Sequence, residues 1–318
     1  MITNSTDDST ADWLGKPYFP ISAVYKRRFG GKVVKIPVSI AATCPNRAGI
    51  NGMKTCIFCD DHGSFAYPES QNDELSLQIE RHRAKVNLRS NASQFLIYFQ
   101  AYTTTFTQIG RLKAGFDLAL SHADVAGLVV GTRPDCLSQA VLQTWKDYGE
   151  RTFVGVELGV QSFDDDQLTW MRRGHTARQS ILGIERVARE AKVDVGIHLI
   201  FGWPTETDKQ LIETARLCND LPISNVKLHN LHVLRNTPLA DLHASGDFDP
   251  LGIEEYARRT ALFLEHLSPR IAVHRLAALS SNWKELVAPD WTRHKMKSYQ
   301  TIVDWMNAHG IRQGAKSA

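Results

Sequence analysis

The sequence predicts an α/β fold, a parallel sheet wrapped toward a barrel, with a C-terminal α/β extension. Three observations predict it. Short apolar runs alternate with helical segments six times over, and the connections between them are short, as when helices carry the chain between parallel strands. The chain has 318 residues, 43% of them hydrophobic, which is enough to bury a full core. The polar residues of the repeats fall at the strands' C-terminal ends, where parallel α/β barrels carry their chemistry.

Taken in order, residues 1–19 are polar and without periodicity, and they read as a mobile tail. The basic segment Tyr25-Lys26-Arg27-Arg28-Phe29-Gly30-Gly31-Lys32 reads as a solvated loop or as a phosphate-contacting patch. The first strand, Val33 to Ala42, runs directly into a cysteine-rich loop at 43–63. Residues 73–92 form a helix, with Leu75, Ile79 and Val86 near helical spacing. Then follow the strand Gln94–Phe99, a helix over 107–122, the strand Ala126–Gly131 and a helix from Cys136 to Tyr148. The fourth strand, Thr152–Val160, leads into a helical region through Glu190. Strand Val193–Phe201, helix Thr207–Asp220 and strand Asn225–Leu231 complete a core over residues 20–245. The extension, residues 246–318, has a helix from Gly252 to Leu267, a strand Arg270–His274 and a helix from Ser298 to His309, and it is expected to cover the barrel.

The loop from Cys44 to Cys59 reads CPNRAGINGMKTCIFC and holds three of the five cysteines. Cys56 and Cys59, two residues apart, can turn toward one metal centre, and Cys44 supplies a third thiolate from the same loop. Three thiolates on a [4Fe-4S] cluster leave one iron open to a substrate or cofactor. With His62 added, the same residues make a closed Cys3His zinc site whose role is structural. The spacing by itself leaves both open. An odd cysteine count and the lack of a secretory-type apolar segment argue against a disulfide framework. No run approaches the ~18 apolar residues of a membrane span, so the expectation is a soluble, cytoplasmic protein with no membrane partner. A net charge of +3 is too small to imply nucleic acid, which leaves that case to local clusters.

Along the shared edge stand Gln100 and Tyr102 after the second strand, and Thr132-Arg133-Pro134-Asp135 after the third. Glu157 and Gln161 flank the fourth strand, His198 lies on the fifth, and His229 and His232 surround the sixth. Any one of these is as compatible with a satisfied core hydrogen bond as with function. Their common edge with the cysteine loop is what marks a site.

At this point the chain resembles a radical S-adenosylmethionine (SAM) enzyme of the YhcC-like branch. It is more distantly similar to the elongator catalytic subunit and to oxygen-independent coproporphyrinogen dehydrogenases. The residues that carry the resemblance are Cys44-Pro45-Asn46-Arg47, Tyr98-Phe99-Gln100-Ala101-Tyr102, Gly131-Thr132-Arg133-Pro134-Asp135-Cys136 and Glu157-Leu158-Gly159-Val160-Gln161-Ser162. Arg173-Gly174-His175, His198-Leu199-Ile200-Phe201-Gly202, Lys227-Leu228-His229 and His274-Arg275-Leu276 continue the series in family order. Such an ordered series favours iron-sulfur over zinc.

The resemblance implies a partial (β/α)6 barrel in which Cys44, Cys56 and Cys59 hold a [4Fe-4S] cluster that binds and reductively cleaves SAM. The 5'-deoxyadenosyl radical so formed would abstract hydrogen from a substrate. It implies that Phe58 packs near the adenine and that the Gln100–Tyr102 turn meets the methionine amine, in place of a glycine-rich turn. It implies that Gln161 and Arg173 contact the cofactor, the guanidinium suiting a carboxylate. It also implies that His198 meets the ribose where relatives carry an aspartate, and that Glu157 compensates for Gly131, which replaces an acidic residue. An electron donor such as flavodoxin or ferredoxin follows from the same resemblance.

Cys136 is a candidate second catalytic thiol if the helix N-terminus favours its thiolate, or a buried structural cysteine, the commoner fate, and Cys218 reads as core. His229 and His232 are candidates for hydrogen bonding to substrate or cofactor. In the extension, Arg293, His294, Lys295 and Lys297 with Trp283 and Trp291 suit RNA through phosphate pairing and base stacking, or form a solvated surface over core tryptophans. The substrate is therefore expected to be RNA or a small metabolite. No second cysteine set exists for an auxiliary cluster, which disfavours sulfur insertion. The alternative of a different class is a non-catalytic zinc or iron-sulfur binding protein.

Overall fold

Seven parallel strands form one curled, open half-barrel sheet in the computed structural model, which describes residues 13–63, 65–88, 90–278 and 284–317. They are β1 (Val33–Val38), β2 (Gln94–Phe99), β3 (Val125–Thr132), β4 (Phe153–Gln161), β5 (Asp194–Phe201), β6 (Asn225–Asn230) and β8 (Ala272–Val273). The first six follow chain order across the sheet, and β8 lies beside β6. A two-stranded antiparallel ribbon joins β7 (Val233–Leu234) to β9 (Leu286–Ala288).

Apolar residues on both faces suit strands that are covered on both sides. In β4 only Gly159 and Gln161 escape full burial. The helices are α1 (Ile21–Phe29), α2 (Leu75–Asn87), α3 (Ile109–Leu120), α4 (Gln139–Gly149), α5 (Asp165–Trp170) and α6 (Ala177–Arg186). They continue with α7 (Asp208–Asp220), α8 (Pro238–Ala244), α9 (Ile253–His266) and α10 (Lys295–Ala308). α2 packs on β1, α3 on β3 and α4 on β4, while α9 bridges α7 and α10. Local chemistry sets several helix starts: Thr176 and Thr207 open α6 and α7 with capping boxes completed by Gln179 and Gln210. Among the described residues no helix is long and apolar enough to cross a membrane.

The structure departs from the sequence expectations in four places. Residues 1–12 lie outside the described residues, but 13–19 are no mobile tail. Trp13 and Phe19 are buried against Ala23 and Ala272, and the Phe19 amide donates to Gln313 Oε1 at 2.9 Å. The basic segment is mostly helix: Pro20 precedes α1, Arg27 stacks on Phe19 and Arg28 on Phe153. The first strand ends at Val38 because the Gln78 side chain replaces a strand neighbour, accepting from the Ser39 amide at 2.8 Å and donating to the Ser39 carbonyl at 3.0 Å. Finally, residues 246–318 do more than cover the barrel. β8 extends the sheet, and Phe263, Leu264, Ile302 and Met306 join the same core as Val156 and Ile197. Cys218 is fully buried in that core, as expected.

Candidate active site

The strands' C-terminal edge and the cysteine loop enclose a cavity of about 320 Å³. Cys44, Cys56 and Cys59 line it, as do Phe58, Gln100, Tyr102, Glu157, Gln161, Arg173, His198, His229 and His232. Cys136 and His62 do not.

The loop is held by polar stitches within itself, to the end of β3 and to the segment between α5 and α6. Asn46 Nδ2 donates to the carbonyls of Lys54 and Arg172, each at 2.8 Å. Arg133, after β3, donates to Asn46 Oδ1, to the Arg173 carbonyl at 2.7 Å, and to Asp135 through two bonds of 2.9 and 2.7 Å. The Arg47 guanidinium donates to the Asp60 carbonyl. Such a planar donor fork can serve several acceptors at once. Asn46, Arg133 and Asp135 thus fix the loop rather than the chemistry.

Arg173 reaches the cysteines directly: Nη1 donates to Cys56 Sγ at 3.2 Å, Nη2 donates to the Gly159 carbonyl at 2.9 Å, and the guanidinium lies 6.0 Å from the Phe58 ring centre. Burial, with Cys56, Asp60 and Cys44 nearby, pushes the Cys59 thiol up to about 12 despite Arg47. A bound cationic centre is what lets such a thiol give up its proton. Among the described residues, no three His, Cys, Asp or Glu side chains stand close enough to share one metal ion. His62 Nδ1 instead meets Gln71 Oε1 at 3.3 Å. The closed Cys3His zinc site therefore lacks its geometry, whereas a cubane offers each thiolate its own iron. The donor set fits the cluster.

Opposite the cysteines lies a charged network that sequence reasoning only half found. Glu157 Oε2 accepts from Lys227 Nζ at 2.9 Å and from His198 Nε2 at 2.7 Å, and Lys35 donates to Oε1. Burial alone would raise the Glu157 carboxyl, but Lys227, Lys35 and the His198 bond hold it well below the usual carboxylate range. Burial, with Lys227 adding, lowers His198 to about 4, so it is neutral and donates from Nε2. Burial also draws Lys227 down to about 7, Arg275 and Lys35 adding to the fall against Glu157. Lys35 moves the other way, because Glu157 and Tyr25 outweigh its burial.

The sheet register explains how one carboxylate meets so many cations. Glu157 sits between Gly131 on β3 and Gly196 on β5, so neither neighbour crowds it, and His198 pairs with Lys227. A side chain at 131 would begin 3.4 Å from the Tyr98 hydroxyl, which accepts from Lys227 Nζ at 3.1 Å. A side chain longer than alanine at 131 would have to share that space with Tyr98. Missed in the sequence were the roles of Lys35, Lys227, His274 and Arg275. For Lys35 the available signal was a single ionisable residue inside an otherwise apolar strand.

Arg275 Nη2 donates to His229 Nδ1 at 2.6 Å, and burial beside Arg275 keeps His229 neutral. His232 Nδ1 meets the Asn230 carbonyl at 3.3 Å. Cys136 suits the structural cysteine better than the catalytic thiolate. α4 begins three residues later, capped by Ser138, and burial with Asp135 pushes the thiol up to about 12. In the extension, Trp283 lies outside the described residues. Trp291 packs on Tyr256 and donates its indole N–H to the Leu251 carbonyl at 2.9 Å, as in the reading of core tryptophans under a solvated surface.

The profile of the Radical SAM superfamily matches residues 38–218, and that of the radical SAM C-terminal domain matches residues 223–308. Protein YhcC of Escherichia coli (strain K12) is 32% identical over 290 residues, which cover 91% of this chain and 92% of that one. Protein MJ0486 of Methanocaldococcus jannaschii is 32% identical over 298 residues, 92% of this chain and 89% of its own. Among solved structures, Elp3 of Methanocaldococcus infernus with residues 1–46 deleted superposes with a TM-score of 0.66 at 17% identity, over 88% of this chain and 64% of that one. That last likeness is one of fold.

Proposed function

The chain belongs to the radical SAM superfamily, and from that membership we propose an enzyme that removes a hydrogen atom from a polar substrate held against the Glu157–Lys227 wall. When bound, a [4Fe-4S] cluster and SAM supply a 5'-deoxyadenosyl radical in the cavity. Cys44, Cys56 and Cys59 would hold the cluster, with Arg173 donating to Cys56 Sγ and so tempering its charge. Phe58 offers an apolar face, and Gln161, Gln100 and the Tyr102 turn offer polar groups for the cofactor. His198, neutral and oriented by Glu157, presents a ring edge suited to a ribose hydroxyl. Ile200 and Leu231 line the cavity from an apolar cluster that includes Ile57 and Phe248, and they help exclude water. The observation that carries the reading is one cavity shared by the three loop cysteines and a wall of fixed donors.

The test is anaerobic. The protein is reconstituted with iron and sulfide, reduced with dithionite or with flavodoxin or ferredoxin as proposed donors, and given SAM. Iron content and 5'-deoxyadenosine are measured beside Cys56→Ala. Product formed by the parent alone supports the enzyme, and RNA pools and small anionic metabolites are then compared for acceleration. A parent that takes up zinc, holds no cluster and makes no deoxyadenosine overturns the reading.

A further inference from the structure

We propose that Lys227, Asn230 and Arg275 form a subsite for an oxyanion, a carboxylate or phosphate carried by the substrate; the proposal rests on the enzyme reading above.

The residues come from adjoining elements. β6 carries Lys227, His229 and Asn230, and Arg275 follows β8, its carbonyl accepting from the Leu228 amide at 3.1 Å. All four line the cavity. What they leave unused is consistently a donor. Arg275 forms no ion pair with any carboxylate among the described residues, and its Nε is buried without an acceptor. Asn230 spends its oxygen on the Ala278 amide at 3.0 Å, which leaves buried Nδ2 without an acceptor. Arg275 Nη2 lies 2.6 Å from His229 Nδ1 and 3.1 Å from Nε2, so the guanidinium faces both nitrogens of the neutral imidazole.

The charge balance points the same way. Glu157 is felt by Arg275 as well, but it already pairs with Lys35, Lys227 and His198, and no carboxylate among the described residues is in ion-pair contact with Arg275. Buried donors without acceptors and a buried cation without a counter-ion are each costly, and an oxyanion satisfies both at once. An anion in contact would also restore the proton that burial loosens on Lys227. Arg173 does not already fill this role. It precedes α6 and its Nη groups are spent on Cys56 and Gly159, on the cysteine side of the cavity. The molecule thus holds two separate guanidinium positions, one beside the cluster cysteines and one beside β6 and β8. A reacting molecule anchored by its charged end at Arg275 would lie along the wall that faces the cofactor.

The experiment is anaerobic calorimetry on the cluster-loaded full chain with SAM bound, titrating pyrophosphate, inorganic phosphate and malonate. SAM affinity and the thermal melt are recorded in parallel. At least one oxyanion is expected to bind the parent. Arg275→Gln should weaken it by roughly tenfold or more, the usual effect of losing a charged hydrogen-bond partner. Arg275→Lys should recover part of the loss, with SAM affinity unchanged in both Arg275 variants, and Lys227→Met should weaken oxyanion binding as well. Preference for the phosphates indicates a phosphorylated substrate and preference for malonate a carboxylate, and either supports the subsite. Absence of oxyanion binding overturns it, as does equal binding by parent and Arg275→Gln. Loss of SAM affinity in Arg275→Gln also overturns it, since the guanidinium would then serve SAM. A parent that binds no SAM overturns the enzyme reading instead, and the oxyanion titration still decides the subsite because it reads binding alone.

Discussion

Glu157 carries more of this site than any other side chain, and Glu157→Gln measures how much. The carboxylate is 4% exposed and is the shared partner of Lys35, Lys227 and His198, with His274 Nε2 3.6 Å from Oε1. The amide keeps the shape and removes the charge, leaving two lysines buried without a counter-ion. Removing one partner of a buried pair costs about 3–5 kcal/mol. Lys227 can partly escape, because its folded pKa of about 7 lets it shed the proton. Without Glu157 that pKa falls further, so the variant binds fewer protons than the parent just below neutrality, and the gap between them widens as pH falls through 7. The loss should be about 3 kcal/mol at pH 8 and nearer 5 at pH 6, or roughly 6–10 °C in melting temperature. Urea unfolding followed by circular dichroism reads it, with two further variants. Glu157→Gln/Lys227→Met should recover at least about 1 kcal/mol, because the two sites are in contact. Glu69→Gln, which breaks the exposed pair with Lys85, should cost under about 1 kcal/mol. If Glu157→Gln costs no more than Glu69→Gln, the network is not the buried electrostatic centre described here.

Two further outcomes follow from groups outside the network. Glu206 Oε2 accepts from the Gly202 amide at 2.8 Å and from Arg259 at 3.1 Å, yet burial prevails and pushes the carboxyl up to about 7. A raised folded pKa gives stability that is full below the unfolded value and lost as pH rises through 7. Relative to Glu206→Gln, the parent should therefore lose about 3 kcal/mol between pH 4.5 and 7, read from urea midpoints; a constant difference refutes it. Cys136, with its thiol pushed up to about 12, should react with iodoacetamide at pH 8 roughly a thousandfold more slowly than an ordinary thiol. Peptide mapping by mass spectrometry checks this, and rapid labelling would mean that the thiolate is present after all.

The readable parts of this chain were those whose causes are local. Strands such as Gln94–Phe99 are continuous apolar runs, and Cys56 and Cys59 are neighbours by spacing alone. The functional edge was legible because polar residues interrupt those runs at a common end. What escaped depends on partners far along the chain. Lys35 and Glu157 are 122 residues apart, Lys227 and Tyr98 are 129 apart, and only the curl of the sheet brings them together. The segment 13–19 was misread for the same reason: Phe19 acquires its partner, Gln313, from 294 residues away. Polar composition over 1–12 hid the aromatic residues that follow. Which way the Trp291 indole turns is not legible from the basic residues beside it: it packs on Tyr256, the inward placement that the sequence also allowed.

The turn after β2 shows how a missing motif can be replaced from elsewhere. Relatives were expected to carry glycines where this chain has Gln100-Ala101-Tyr102, yet the backbone adopts glycine-like angles all the same, with φ of 81° at Ala101 and 51° at Tyr102. Non-glycine residues in that region cost about 1–3 kcal/mol each and persist only where their surroundings over-determine them. The surroundings here are the far end of the cysteine loop. The Tyr102 amide donates to the Gly63 carbonyl at 3.3 Å, and its hydroxyl donates to the Asp61 carbonyl at 2.7 Å. At Gly63, φ is 62°, and a Cβ there would lie 2.5 Å from Tyr102 Cδ1. The glycine that close approach demands therefore stands in the loop, four residues past Cys59, rather than in the turn. Backbone strain in the turn and the position of the third cysteine are one structural element, and the tyrosine is what joins them.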